Sequence, residues 1–145
     1  MSRTVDVNLL LYASNEASPE HAVAAATLGR LADGPELLTL FWPTLLAYLR
    51  MATHPAIFER PLRLDDAIDN IDSLLSRPNV RVVGEGEAFW PRFREVAADA
   101  RPAGNLVPDA HLATLMLEHG VRTIVTRDRD FRRFRHVAME DPFEP

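Results

Sequence analysis

Apolar positions along this chain recur in two rhythms, short runs of strand length and longer stripes at helical spacing. Thr4-Val-Asp is a β-prone start and Asn8-Leu-Leu-Leu-Tyr-Ala reads as helix, which leaves Asp6 at the carboxyl end of a first strand. A helix is expected over residues 19–32, with Ser18 as N-cap and Pro19 at its first position. Its apolar stripe reads as Ala22, Ala25, Ala26 and Leu28 to Leu31, and Gly34-Pro35 breaks it. Residues 36–41 form a second apolar strand. Trp42-Pro43 then opens a helix through Leu45, Leu46, Leu49 and Arg50 to Thr53. His54-Pro55 stops it, because the residue before a proline is pushed out of the α region.

After an irregular stretch, Asp65 is placed as the cap of a helix carrying Ile68, Ile71, Leu74 and Leu75, ended by Pro78. Residues 79–83 read as a third strand, and residues 87–100 as a helix with Phe89, Phe93, Val96 and Ala97 on one face. The next helix is expected to start near Pro108, with Val107 as a poor N-cap, Asp109 in the first turn, and Leu112, Leu115 and Met116 buried. Residues 121–126 form a strand, His136-Val-Ala-Met a weaker fifth strand, and Asp141-Pro-Phe-Glu-Pro a tail. Strands alternating with helices predict an α/β fold, a mostly parallel sheet covered on both faces. No linker, repeat or low-complexity tract interrupts the pattern, so a single domain over residues 1–145 is expected.

Composition narrows the classes. A 47% hydrophobic and 26% charged chain is ordinary for a soluble globular protein. The absence of cysteine excludes disulfides, thiolate zinc sites and a cysteine nucleophile. No apolar run approaches the ~20 residues that span a bilayer, and the chain enters apparent structure at once, so a cytoplasmic protein with no membrane segment is expected. The net charge of −5 does not mark a non-specific nucleic-acid binder. All 16 basic residues are arginine, which removes P-loop chemistry and a receiver-type phosphoaspartate site, both of which need a lysine. Five of them crowd residues 127–135, where guanidinium forks suit phosphate oxygens; a solvated basic turn is the alternative.

The acids carry the chemistry. In open α/β sheets ligands bind beyond the carboxyl ends of the strands. Asp6 ends the first strand, Asp128 and Asp130 follow the strand that stops at Thr126, and Asp109 opens the helix feeding that strand. A right-handed crossover brings the start of that helix to the same edge. Carboxylates gathered on one rim repel unless a cation holds them, and oxygen ligands are what Mg2+ and Mn2+ prefer. A hydrolytic Mg2+ or Mn2+ site acting on phosphodiesters follows, with the arginine cluster steering the polyanion. Structural alternatives stand beside it. Asp6 is a possible helix cap, and Asp128 and Asp130 are possible turn residues paired with arginines, in contacts worth only ~0–1 kcal/mol. His111 reads as packing or surface, Trp42 and Trp90 as core or interface, and Arg50 as a core-edge residue or a phosphate contact.

Three stretches, Val5-Asp-Val-Asn-Leu-Leu-Leu-Tyr-Ala, Gly104-Asn-Leu-Val-Pro-Asp-Ala-His-Leu-Ala and Ile124-Val-Thr-Arg-Asp-Arg-Asp-Phe, resemble the acidic motifs of PIN-domain ribonucleases, nearest to the VapC toxins. The resemblance extends over nearly the whole chain, including Leu45-Leu-Ala-Tyr-Leu-Arg-Met-Ala-Thr-His-Pro. It implies a three-layer α/β/α sandwich, endoribonuclease activity on structured RNA such as tRNA or rRNA, homodimerisation, and inhibition by a VapB-type antitoxin. It also implies Asp6, Asp109 and Asp128 as catalytic, metal-binding acids, with Asp130 as a further acid near the metal. Asn8, Asn105, Arg50, Thr126, Arg127 and Arg129 are the implied substrate contacts. The family's second motif supplies a Glu where this chain has Ala47. Some members carry a small residue there, so the departure bears on a second metal and on the site's usual geometry. The rival reading is a PIN-like RNA-binding or regulatory module that lost activity with its Glu.

Overall fold

Short runs of Val, Leu, Ile and Thr, too short for a stable helix and bounded by turns, pair in this computed structural model into one sheet. It describes residues 2–145. The strands are β1 (Ser2–Val5), β2 (Leu37–Phe41), β3 (Val80–Val83), β4 (Thr123–Val125) and β5 (Ala138–Glu140). They lie in the order β3-β2-β1-β4-β5, and every pairing is parallel. The helices are α1 (Val7–Ser14), α2 (His21–Asp33), α3 (Trp42–Ala52), α4 (Leu64–Leu75), α5 (Phe89–Ala100) and α6 (Leu106–Glu118), with a 3-10 turn at Arg129–Arg133. The expected α/β sandwich is therefore present.

Two cores flank the sheet. Leu9, Leu10, Leu38, Leu40, Leu45 and Tyr48 fill one, beneath α1 to α4. Phe41, Leu115, Met116, Ile124, Phe131 and Phe134 fill the other, beneath α5, α6 and the 3-10 turn. Chain order explains this split. From β1 the chain steps outward to β2 and β3, then crosses back to β4 on the far side of β1. Right-handed crossovers in opposite directions place their helices on opposite faces. The reversal opens a crevice between β1 and β4 at their carboxyl ends, where open sheets of this kind bind ligands.

Several sequence-based boundaries shift, for identifiable reasons. The second helix starts at His21 rather than Pro19, because Ser18 serves a turn: its Oγ accepts from the Glu20 amide at 3.2 Å and donates to the Glu20 carboxylate at 2.6 Å. Its buried positions are Ala24, Thr27 and Ala32, while Ala22, Ala25 and Ala26 are exposed. A run of alanines has too little polar contrast to identify its own inner face. Arg63, not Asp65, is the cap residue of α4; Asp65 and Asp66 lie in its first turn, where the helix dipole favours acids. Ile68 faces solvent. Helix α6 starts at Leu106 with Asn105 as cap residue, not at Pro108. The preceding turn, with Gly104 at φ 55, satisfies the first two amides: Leu106 N–H donates to Ala103 O at 3.1 Å and Val107 N–H to Gly104 O at 3.0 Å. Trp42 and Trp90 are exposed, not core.

One polar residue fastens the edge away from the crevice. The Asn79 side-chain amide donates to the carbonyls of Leu31, Gly34 and Glu36 at 3.0–3.1 Å, tying the end of α2 and the approach to β2 onto β3. Replacing it orphans half-buried carbonyls. Asn79→Ala is expected to cost about 2 kcal/mol, a fall of about 4–8 °C in Tm for a chain of this size, with metal affinity at the opposite edge unchanged. Thermal denaturation with and without metal checks both parts.

Candidate metal centre at the sheet switch point

Asp6 follows β1 directly, and its amide donates to Val125 O at 3.2 Å, so the acid is set at the end of the β1–β4 pair. Its side chain points inward, 8% exposed, facing the first amides of α1 without closing a capping bond. The partner is instead Thr126, whose buried hydroxyl donates to Asp6 Oδ2 at 2.8 Å. The same hydroxyl oxygen accepts the Asp128 amide at 2.9 Å, and Asp128 Oδ1 accepts the Asp130 amide at 3.0 Å. One hydroxyl thus bridges the ends of β1 and β4. The turn that follows is wound so that Asp128 and Asp130 face the same way.

Helix α6 runs back toward the amino edge, so its first turn sits on the rim and delivers Asp109 there. One carboxylate oxygen each from Asp109, Asp128 and Asp130 lies within 4.8 Å of the other two. Asp6 is joined to the same turn through Thr126, and its charge acts on both Asp109 and Asp128.

Charge is the dominant feature. Burial pushes the Asp109 carboxyl up to about 7, and the charges of Asp128, Asp6 and Asp130 add to the rise. Burial also raises Asp6, against the lowering effect of the Thr126 bond, and Asp128 reinforces the rise. Among the described residues no arginine or histidine forms an ion pair with any of the four acids. A protein site that concentrates carboxylates and supplies no cation of its own fits a divalent ion with oxygen ligands.

The other sequence-predicted residues spread over a wider area. Asn8 and Asn105 are exposed on the same edge, at the starts of α1 and α6. Arg50 is exposed in the last turn of α3, which runs away from that edge. Ala47 is half-buried, and α3 carries no acid. The arginine cluster does not form one basic face. Arg127 pairs with Glu20 at 3.1 Å and lies over the Phe143 ring at 4.6 Å; Arg129 pairs with Glu144 at 3.1 Å. On the other side, Arg133 donates to Ala100 O at 2.8 Å and Arg135 pairs with Asp99 at 3.4 Å. These acidic partners come from distant segments, and no local spacing announces them. His111, read as packing or surface, binds Glu85 at 2.5 Å beside Phe89.

The sign of the pH effect follows. Asp109 keeps its proton in the folded chain up to about 7, while the unfolded chain releases it near 3.8. The metal-free fold therefore loses stability from this group as pH rises through that window, and the loss is complete above the raised value. Above neutrality in EDTA, Asp109→Asn is expected to be more stable than the parent by about 1–2 kcal/mol. The two should converge at low pH, and Mn2+ should stabilise the parent far more than the variant. Tm recorded against pH for both proteins, with and without Mn2+, gives the answer; a constant difference across pH would contradict it.

Comparison with known proteins agrees with this geometry. The PIN domain model matches residues 4–137. The chain is 49% identical to ribonuclease VapC48 of Mycobacterium tuberculosis over 143 residues, 99% of each chain. It is 34% identical to ribonuclease VapC37 of the same organism over 140 residues, 97% of this chain and 96% of the relative. Among solved structures, VapBC2 of Rickettsia felis, bound to a DNA fragment of its promoter, superposes with TM-score 0.70 at 17% identity, covering 97% of this chain and 98% of that one. VapC20 of Mycobacterium tuberculosis, a sarcin–ricin loop cleaving toxin, superposes with TM-score 0.67 at 18% identity, covering 93% and 98%. The chain belongs to the PIN-domain family and, within it, to the VapC ribonucleases.

Proposed function

We propose that this chain is a VapC-type toxin, a metal-dependent endoribonuclease that hydrolyses phosphodiester bonds in structured RNA such as tRNA or rRNA. The observation that carries the metal dependence is the uncompensated acid cluster at the switch point. Asp109, Asp128 and Asp130 would hold Mg2+ or Mn2+, with Asp6, tied to the same turn by Thr126, as a further acid of the site. When bound, such an ion supplies Lewis acidity that lowers the pKa of a water nucleophile and offsets charge on the reacting phosphate.

The chain's own groups do the rest. Thr126 holds the Asp6 carboxylate against the backbone of Asp128, whose own carboxylate is oriented by the Asp130 amide. Asn8 and Asn105 offer amide donors on the rim, Arg127 and Arg129 offer forks there for RNA phosphates, and Arg50, at the far end of α3, could reach only a remote part of a long RNA. With Ala47 in place of an acid, α3 contributes no ligand, and Asp130 compensates in part. That substitution also supports the rival reading, a PIN module that binds RNA without cutting it.

A VapB-type antitoxin and a second copy of the chain are the proposed partners. The VapBC complex among the structural neighbours supports the first. Exposed apolar residues one helical turn apart, Trp42 and Leu46 on α3 and Leu64 and Ile68 on α4, offer surfaces for both. No helix among the described residues is long and apolar enough to cross a membrane. We place the protein in the cytoplasm, where its RNA substrates are.

Cleavage of structured RNA in Mg2+ or Mn2+ tests the enzyme reading. Asp109→Asn and Asp128→Asn should abolish it, and Thr126→Val should reduce metal affinity or activity by about 10- to 100-fold, the range for residues that orient ligands. RNA left intact with metal bound would favour the rival. For the dimer, Leu46→Glu should yield monomers in light scattering at concentrations where the parent is dimeric; an unchanged mass would exclude the α3 surface.

A further inference from the structure

The two arginines nearest the acids are already occupied by acids of this chain. Arg127 and Arg129 alternate with Asp128 and Asp130, so each cation is one residue from a carboxylate of the metal trio. Neither turns toward that trio. Arg127 donates to Glu20 Oε1 at 3.1 Å, with its guanidinium over Phe143 at 4.6 Å and near Tyr12 at 6.0 Å. Arg129 donates to Glu144 Oε1 at 3.1 Å.

The closing segment is built to sit there. Phe143 N–H donates to Asp141 Oδ1 at 2.9 Å, a local turn that folds the segment back. The Phe143 ring meets Tyr12 edge to face at 5.7 Å and 84°, and packs against the core beneath α1. With the ring anchored, Glu144 is delivered to Arg129 and the ring itself to Arg127. Glu20 in turn is held by Ser18, whose hydroxyl donates to Glu20 Oε2 at 2.6 Å, leaving Oε1 for Arg127.

We propose that Glu20 and the Phe143-Glu144 strap occupy the Arg127 and Arg129 forks in place of RNA phosphates, and that substrate must displace these carboxylates to bind. A phosphate oxygen and a carboxylate oxygen compete for the same guanidinium N–H, and each pair here uses one nitrogen and one oxygen. Occupation by the chain's own acids therefore lowers affinity for RNA by the strength of the pairs exchanged. Both pairs are at the surface, where the chain keeps them breakable. This rests on the RNA-cleaving reading above and concerns the regulation of that same site.

The test separates the strap from the enzyme reading by measuring binding rather than cutting. In an Asp109→Asn background, the dissociation constant for a labelled RNA stem–loop is measured for Glu20→Gln, Glu144→Gln and the double variant, each also combined with Arg127→Gln and Arg129→Gln. Each single variant should bind about 2- to 5-fold tighter, the range an exposed ion pair can supply, and the double variant tighter still. The gain should vanish when the arginines are removed. Unchanged or weaker binding, as expected if the pairs only fasten the tail, would overturn the proposal. So would a gain that persists without Arg127 and Arg129, which would mark general charge repulsion. Failure of the parent protein to cut RNA would instead sink the enzyme reading and leave this binding result readable by itself.

Discussion

The mutual repulsion of carboxylates at the end of β1 and β4 is the constraint around which this structure is arranged. Asp6, Asp109, Asp128 and Asp130 come from three separate stretches, and the fold delivers them to one edge with no ion-pair partner among the described residues. Folding alone gives no reward for that arrangement. The Asp109 carboxyl, pushed up to about 7 by burial first and by the neighbouring acids second, is a measure of the combined cost. The buried hydroxyl of Thr126 makes the arrangement possible, since a single oxygen donates to one acid and accepts the backbone of another. A hydrophobic replacement of similar shape would preserve packing and lose the bridge.

The rest of the molecule supports that edge. The parallel sheet, most deeply buried in its three central strands β2, β1 and β4, supplies a rigid base, and the reversal of strand order at β1 opens the crevice. Helix α6, with Leu112, Leu115 and Met116 buried, is anchored along its length. The placement of Asp109 therefore depends on core packing rather than on a cap. The positive charge that could have neutralised the acids is drawn outward instead, to Glu20, Glu144, Asp99 and a helix-end carbonyl. The result is a rim with its anionic centre exposed to a cation and its arginines at the periphery.

Much of this was legible in the sequence, and the exceptions are instructive. Strands and helices alternate in a pattern strong enough to give the sheet type, and the position of an acid after a strand gives its edge. Asp6, Asp128 and Asp130 are placed on the edge in this way, Asp109 by the crossover that brings the start of its helix there, and the resemblance to the family rests on the same three stretches. Local detail was less accessible. Helix α6 starts two residues before Pro108, which resembles a first helical residue, because the turn at Gly104 does the capping. The buried face of α2, Ala24, Thr27 and Ala32, differs from the expected one because alanine carries no clear preference. The approach of Asp109, Asp128 and Asp130 to within 4.8 Å of one another, and the capture of Arg127 and Arg129 by Glu20 and Glu144, depend on side-chain directions set by tertiary contacts. No period or spacing encodes those.

The account stands or falls on whether the acid cluster is a cation site. Crystals grown at neutral pH and soaked in Mn2+, with anomalous scattering recorded at the manganese edge, test this most directly. We predict an anomalous peak coordinated by Asp109, Asp128 and Asp130, with Asp6 still bonded to Thr126. A density map with no manganese on these three carboxylates, at concentrations that occupy other sites, would contradict the account.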